Sequence, residues 1–215
     1  MKTIISLISI LTFFQMSHAQ VRDTNGKFYK TFSVRNQIWF AENLSVDKFR
    51  NGDTIPESKN SEDWLKAREN AQPAWCYYNY NSKNGRQYGK LYNWYAVNDP
   101  RGLAPEGWHI PSSAEWDSLV TYLGGMDIAG TKMKAKNGWK NNGNGTNNSG
   151  FSGLPGSYCG ENGTFNFLGQ FAIFWTATES EIEDAFSCNL TYVNGNVYKD
   201  IFLKGEGLSV RCIKD

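Results

Sequence analysis

No apolar run in this chain is long enough to cross a bilayer. TIISLISILTFF, from Thr3 to Phe14, has twelve residues, against the roughly twenty a spanning helix needs. Histidine is scarce, with His18 and His109 the two present. No two of the four cysteines have the close spacing of a zinc knuckle, so a zinc site is not expected. Neither sign of charge dominates: 22 Lys and Arg face 21 Asp and Glu. That balance argues against a nucleic-acid or anionic-membrane surface. There is no nucleophile elbow, phosphate-binding loop, dinucleotide fingerprint or zincin helix. Internal repeats and an interdomain linker are also lacking.

The first nineteen residues carry what is needed for export. Lys2 precedes the apolar run, and Ser17-His18-Ala19 offers small residues where a signal peptidase cuts. Residues 1–19 are therefore expected to be a cleavable signal peptide and 20–215 one secreted or cell-surface domain. No cysteine follows the expected cut, so the signal is not of the lipoprotein type. No transmembrane segment remains after cleavage. An even number of cysteines in an exported chain predicts disulfides among Cys76, Cys159, Cys188 and Cys212. Four cysteines allow three pairings.

Aromatic residues are plentiful where aliphatics are modest. Six of the eleven tyrosines fall in CYYNYNSKNGRQYGKLYNWYAV, residues 76–97. Such rings are expected in the core, because buried rings supply area that aliphatics here do not. The runs 27–34 and 37–40 flank Arg35-Asn36 and predict a hairpin. Ser61-Glu62-Asp63 is expected to cap and open a short helix that stops before Pro73. In PSSAEWDSLVTYLGG, Ser112 and Glu115 form a capping box. Trp116, Leu119, Val120 and Leu123 make one apolar stripe, and Gly124-Gly125 ends the helix. A shorter helix is expected over 127–136. Strands are expected near 163–168, 171–176, 185–193, 197–201 and 208–213, with Asn194-Gly195 as a hairpin turn.

NGWKNNGNGTNNSG, residues 137–150, reads as a long polar loop, and such loops in compact domains are functional or mobile. Trp139 stands in it with no apolar neighbour in sequence. Trp139, with Asn141, Asn142 and Asn147, is the candidate ligand-binding set. Trp108 and Trp175 lie in apolar strings and are expected inside. Glu42, Asn43 and Asp99 carry oxygens suited to calcium, but no EF-hand spacing accompanies them. His109 reads as a structural hydrogen-bonding group, since no nucleophile accompanies it. Glu161 and Glu179 are the nearest candidates for a glycosidase pair, with no motif behind them. No catalytic residue, metal or cofactor is expected.

The ordered motifs NQIWFAENL, AWCYYNY, YGKLYNWYAV, GLAPEGWHIPSSAEWDSLVTYLGG, AGTKMKA, SGFSGLPGSY, FLGQFAIFWTATES and GLSVRCIKD resemble the Fibrobacter succinogenes major paralogous domain. The resemblance covers roughly residues 24–215. It implies an extracytoplasmic protein with an α+β fold similar to the C-type lectin and formylglycine-generating-enzyme group. That fold is one loop-rich domain, with two main helices and small antiparallel sheets stapled by disulfides. The resemblance implies a nested pairing, Cys76–Cys212 and Cys159–Cys188, worth about 4–5 kcal/mol for the outer bridge in the chain-entropy model. The sugar-reading triplets of calcium-dependent lectins and the close cysteine pair of the oxidases do not occur here. The function expected is a non-enzymatic binding or adhesion module, its partner a glycan or a cell-surface protein. A structural role in the cell envelope is the alternative.

Overall fold

The computed structural model describes residues 21–215, and the expected export signal lies outside them. Strand β1 (Val21–Arg22) pairs antiparallel with β2 (Phe28–Tyr29). The expected hairpin follows as β3 (Thr31–Val34) and β4 (Gln37–Phe40), in register Thr31 to Phe40. Arg35 takes the left-handed conformation its turn needs (φ 53°). Helix α1 spans Ser61–Glu69. Asn60, not Ser61, caps it, accepting the Asp63 amide at 2.9 Å.

The tyrosine-rich stretch forms β5 (Trp75–Cys76), α2 (Ser82–Tyr88), β6 (Leu91–Tyr92) and α3 (Trp94–Val97), with β5 and β6 paired. Tyr78, Tyr88, Tyr92 and Trp94 are buried, as the composition led us to expect. The Tyr92 hydroxyl donates to the Val46 carbonyl at 2.7 Å, and that of Tyr80 to Gly163 at 2.9 Å. Strand β7 (Trp108–His109) leads into α4 (Ser113–Tyr122). The Ser112–Glu115 capping box is present in both directions, and Trp116, Leu119 and Val120 are buried. Helix α5 spans Ala129–Met133, shorter than expected. It stops because Lys134 turns extended to bridge Gly153.

Strands β8 (Tyr158–Cys159) and β9 (Phe165–Asn166) pair with each other. The long meander β10 (Phe171–Glu179), β11 (Asp184–Thr191) and β12 (Val197–Leu203) follows. The last strand, β13 (Ile213–Lys214), inserts between β4 and β7, giving the order β3-β4-β13-β7. Only this end of the expected strand 208–213 is regular. Leu208 and Ser209 make single bridges to Tyr92 and Phe174.

The meander divides the core. Ile173, Trp175 and Ala185 face one cluster with Tyr92, Trp94, Trp108 and Cys212. Ala172, Phe174, Cys188 and Leu190 face another with Trp39, Trp116 and Phe151. This is the alternation a strand imposes on its side chains when both faces are covered. A third, smaller cluster holds Trp64, Ala74, Cys76, Tyr78, Leu91 and Cys159.

No pair of cysteines lies at disulfide-bonding distance. All four cysteines are buried as free thiols. Cys212 and Cys188 sit in the two large clusters while Cys76 and Cys159 share the small one. Neither nested pair has its two members in one cluster. The α+β class with small antiparallel sheets is present, without the staples.

Candidate functional site

The polar loop 137–150 is packed, which corrects the reading of Trp139. Its indole is 5% exposed and donates from Nε1 to the Gly153 carbonyl at 3.1 Å. The Lys134 ammonium lies 5.2 Å from the ring centre and is held by the carbonyls of Thr191 and Asn194. The apolar cluster that Trp139 joins, with Phe32, Trp39, Phe174 and Leu190, comes from distant sequence, so its polar surroundings in the chain gave no sign of it. Gly143 and Gly145 make this close approach workable. A Cβ on Gly143 would lie 2.1 Å from the Tyr192 carbonyl oxygen, and one on Gly145 2.5 Å from those of Thr131 and Lys134. Asn141 and Asn142 are exposed at the loop tip, in left-handed conformations (φ 49° and 58°). Asn147 turns inward: its Oδ1 accepts the Ser152 amide at 2.7 Å and its Nδ2 donates to the Ser152 hydroxyl at 2.9 Å.

All eight tryptophans are buried, none more than 6% exposed. A sugar that stacks on tryptophan has no ring to meet on this surface. Asp99 is committed to the Arg101 guanidinium at 2.8 Å. Glu161 pairs with Arg68 at 3.0 Å, and Glu179 pairs with Lys204. Each acid weighed for metal or glycosidase work thus has a cation already, Glu42 the loosest with Lys27 at 3.9 Å. His109 is held by two carboxylates, Asp215 at 2.7 Å and Glu115 at 2.8 Å. Burial pulls its pKa down, but the two carboxylates outweigh burial and hold it above 6.5.

Asn147 leads to a different place. Ser152, which it holds at φ 54°, lines a cleft of about 360 Å³ with Lys27, Lys30, Glu42, Asn43, Arg86 and Arg211. Arg211 forms the floor and is 1% exposed. Its Nε–H donates to Asn43 Oδ1 at 2.8 Å, and Nη1 to the carbonyls of Phe40 (2.9 Å) and Phe151 (2.8 Å). Nη2 donates to the Ser152 carbonyl at 3.3 Å. A guanidinium has five N–H donors, so one on Nη2 is left over. The plane lies 4.2 Å from the Phe151 ring centre. Among the described residues no carboxylate bonds to Arg211, and burial pulls its pKa down to about 9. A charge so buried without a counter-ion is costly unless its donors are met. Here carbonyl and amide oxygens meet them without neutralising the charge.

The rim adds to that charge. Lys27 is 3.9 Å from Glu42, a loose pair. Lys30 and Arg86 make no ion pair among the described residues. Three cations therefore outnumber the one acid, Glu42, even before Arg211 is counted. Asn43 fixes the wall, donating from Nδ2 to the Tyr88 carbonyl at 2.8 Å and the Ser209 hydroxyl at 3.1 Å. Gly89 lets the chain pass: at φ 77° a Cβ there would come within 3.0 Å of Asn43 Cβ. Four of the motif stretches meet here: NQIWFAENL, YGKLYNWYAV, SGFSGLPGSY and GLSVRCIKD. An arginine set among Val210, Cys212 and Ile213 was the one signal that sequence reading passed over. Chemically the cleft suits an anion. It presents no nucleophile with an adjacent base.

A family model described as the Fibrobacter succinogenes major domain matches residues 32–214. No curated protein and no solved structure matches the chain.

Proposed function

The chain belongs to the Fibrobacter succinogenes major domain family, and on that premise we propose that it is an exported, non-enzymatic binding module whose ligand places an anionic group in the Arg211 cleft. The observation that carries the reading is the buried guanidinium, bonded to no carboxylate, under a rim where cations outnumber the single acid Glu42. A carboxylate or sulfate drawn into a partly desolvated cleft gains charge-assisted hydrogen bonds and supplies the missing counter-charge. The ligand we favour is an acidic surface glycan, bound through its charged groups and not by stacking on tryptophan. The lectin-like grouping of the fold, suggested by the motif resemblance, is part of the same proposal.

The test is binding of the mature domain to acidic and neutral polysaccharides at several salt concentrations. Acidic polymers should be retained, with affinity that falls as salt rises. The double variant Lys30→Glu with Arg86→Glu should weaken retention by at least tenfold while leaving the melting temperature within a few degrees, since surface changes of this kind cost little. Retention of neutral polymers alone, or equal binding by the double variant, would remove the cleft from the account.

A further inference from the structure

The small cluster behind α1 contains a second piece of chemistry that the cleft does not use. Cys76 and Cys159 are both 0% exposed. They belong to the same small packed cluster. The chain brings them together through a succession of pairings. Cys76 sits opposite Leu91, Tyr92 bridges Leu208, and Gly207 bridges Cys159. Gly207 leaves the room for this: a Cβ there would be 2.9 Å from the Trp64 ring and 3.0 Å from Cys159 Cβ. The remaining neighbours are Trp64, Ala74, Tyr78 and Leu91, with Tyr80 and Phe165 at the edge. No group of three or more metal-ligating side chains occurs among the described residues. Two thiols brought into one small cluster, without a third metal ligand, have one evident chemistry left, oxidative coupling.

We infer that Cys76 and Cys159 are the disulfide-forming pair of this domain, and that Cys188 and Cys212 remain thiols. Cys188 and Cys212 lie in separate clusters, so neither has a partner in its own cluster. The reaction needs an oxidant, and its class is a disulfide carrier such as an exported dithiol oxidase or oxidised glutathione. One cysteine thiolate attacks the carrier disulfide and releases a carrier thiol. The second then displaces the other carrier thiol from the mixed disulfide. Two S–H bonds and one S–S bond are lost. One protein S–S bond and two carrier S–H bonds form, and two electrons pass to the carrier. Burial holds both partners away from solvent, and it pushes the Cys76 thiol up, away from the reactive thiolate. The bond therefore forms while the chain folds, before Trp64 and Tyr78 close over it. The inference is independent of what the cleft binds.

The experiment is refolding of the mature chain from denaturant in oxidised and reduced glutathione, followed by alkylation and peptide mapping without reduction. The expected product links the peptides bearing Cys76 and Cys159 and carries alkyl groups on Cys188 and Cys212. Its melting temperature should exceed that of the reduced form by about 10 °C, because the bond closes a loop of roughly eighty residues. The Cys188→Ser, Cys212→Ser variant should still lose two hydrogens on oxidative refolding. Cys76→Ser, Cys159→Ser should lose none and melt at the same temperature with or without reductant. A dominant Cys76–Cys212 or Cys159–Cys188 peptide, or four alkylated cysteines after oxidative refolding, would overturn the assignment.

Discussion

Arg211 is a junction as well as a candidate ligand group. Its donors tie Phe40, Asn43, Phe151 and Ser152, residues from two separate parts of the chain, to a third. Lysine would keep the charge and lose the planar fork. Arg211→Lys should therefore cost about 2–4 kcal/mol in urea unfolding, because buried carbonyls are left without donors. A loss below about 0.5 kcal/mol would show that water replaces the fork. His109 gives a pH-dependent counterpart. Its folded pKa is raised, so its stabilisation is complete below the unfolded value of 6.5 and fades as pH rises through the higher folded one. The melting difference between wild type and His109→Gln should be largest near pH 6 and shrink by about pH 9. Glu206 runs the other way. Burial first, then Glu161 and Asp184, push its pKa up to about 7 from 4.5. The ionised form thus weighs against the fold as pH climbs through that window. Glu206→Gln should raise the melting temperature at pH 8 and leave it unchanged at pH 4. A variant that is no more stable at pH 8 would contradict the burial argument.

At the scale of elements, the legible features were those written in neighbouring residues. The Ser112–Glu115 box, the Trp116-Leu119-Val120 stripe, the Arg35-Asn36 turn and the β11–β12 hairpin all follow from contacts within a few positions. The features that escaped depend on distant partners. Trp139 looked exposed because the apolar cluster it joins, Phe32 and Phe174 among it, comes from other segments. The Asn and Gly that suggested a mobile loop instead let the chain lie flat against neighbouring backbone. Gly145→Ala should show this directly. A methyl group 2.5 Å from two carbonyl oxygens cannot be accommodated in place, so the loop should loosen and amide exchange should speed up at Thr146 and Ser149, whose N–H groups donate to the carbonyls of Thr131 and Lys132. Unchanged exchange would mean that the loop is not packed as described. The thiols are a parallel case: the family resemblance implied a nested pairing, but the clusters group Cys76 with Cys159.

Across the whole molecule, the β10–β11–β12 meander is the shared wall of two cores. Alternate residues of β10 serve opposite sides, so neither cluster can open without stripping the same strands. Urea unfolding should accordingly be a single transition, with tryptophan fluorescence and far-ultraviolet circular dichroism superimposing. Separate midpoints would show that the clusters melt independently.

Strand β13 adds an ordering in time. It lies between β4 and β7 although it is made after every other strand, and Arg211 and Cys212 immediately precede it. A nascent chain held on the ribosome at residue 206 would own both neighbours of that strand and nothing to put between them. It would also lack the guanidinium that gathers Phe40, Phe151 and Ser152. The first hairpin therefore waits for residues 207–215, and this sheet closes only once β13 has been made instead of growing outward from its amino-terminal side.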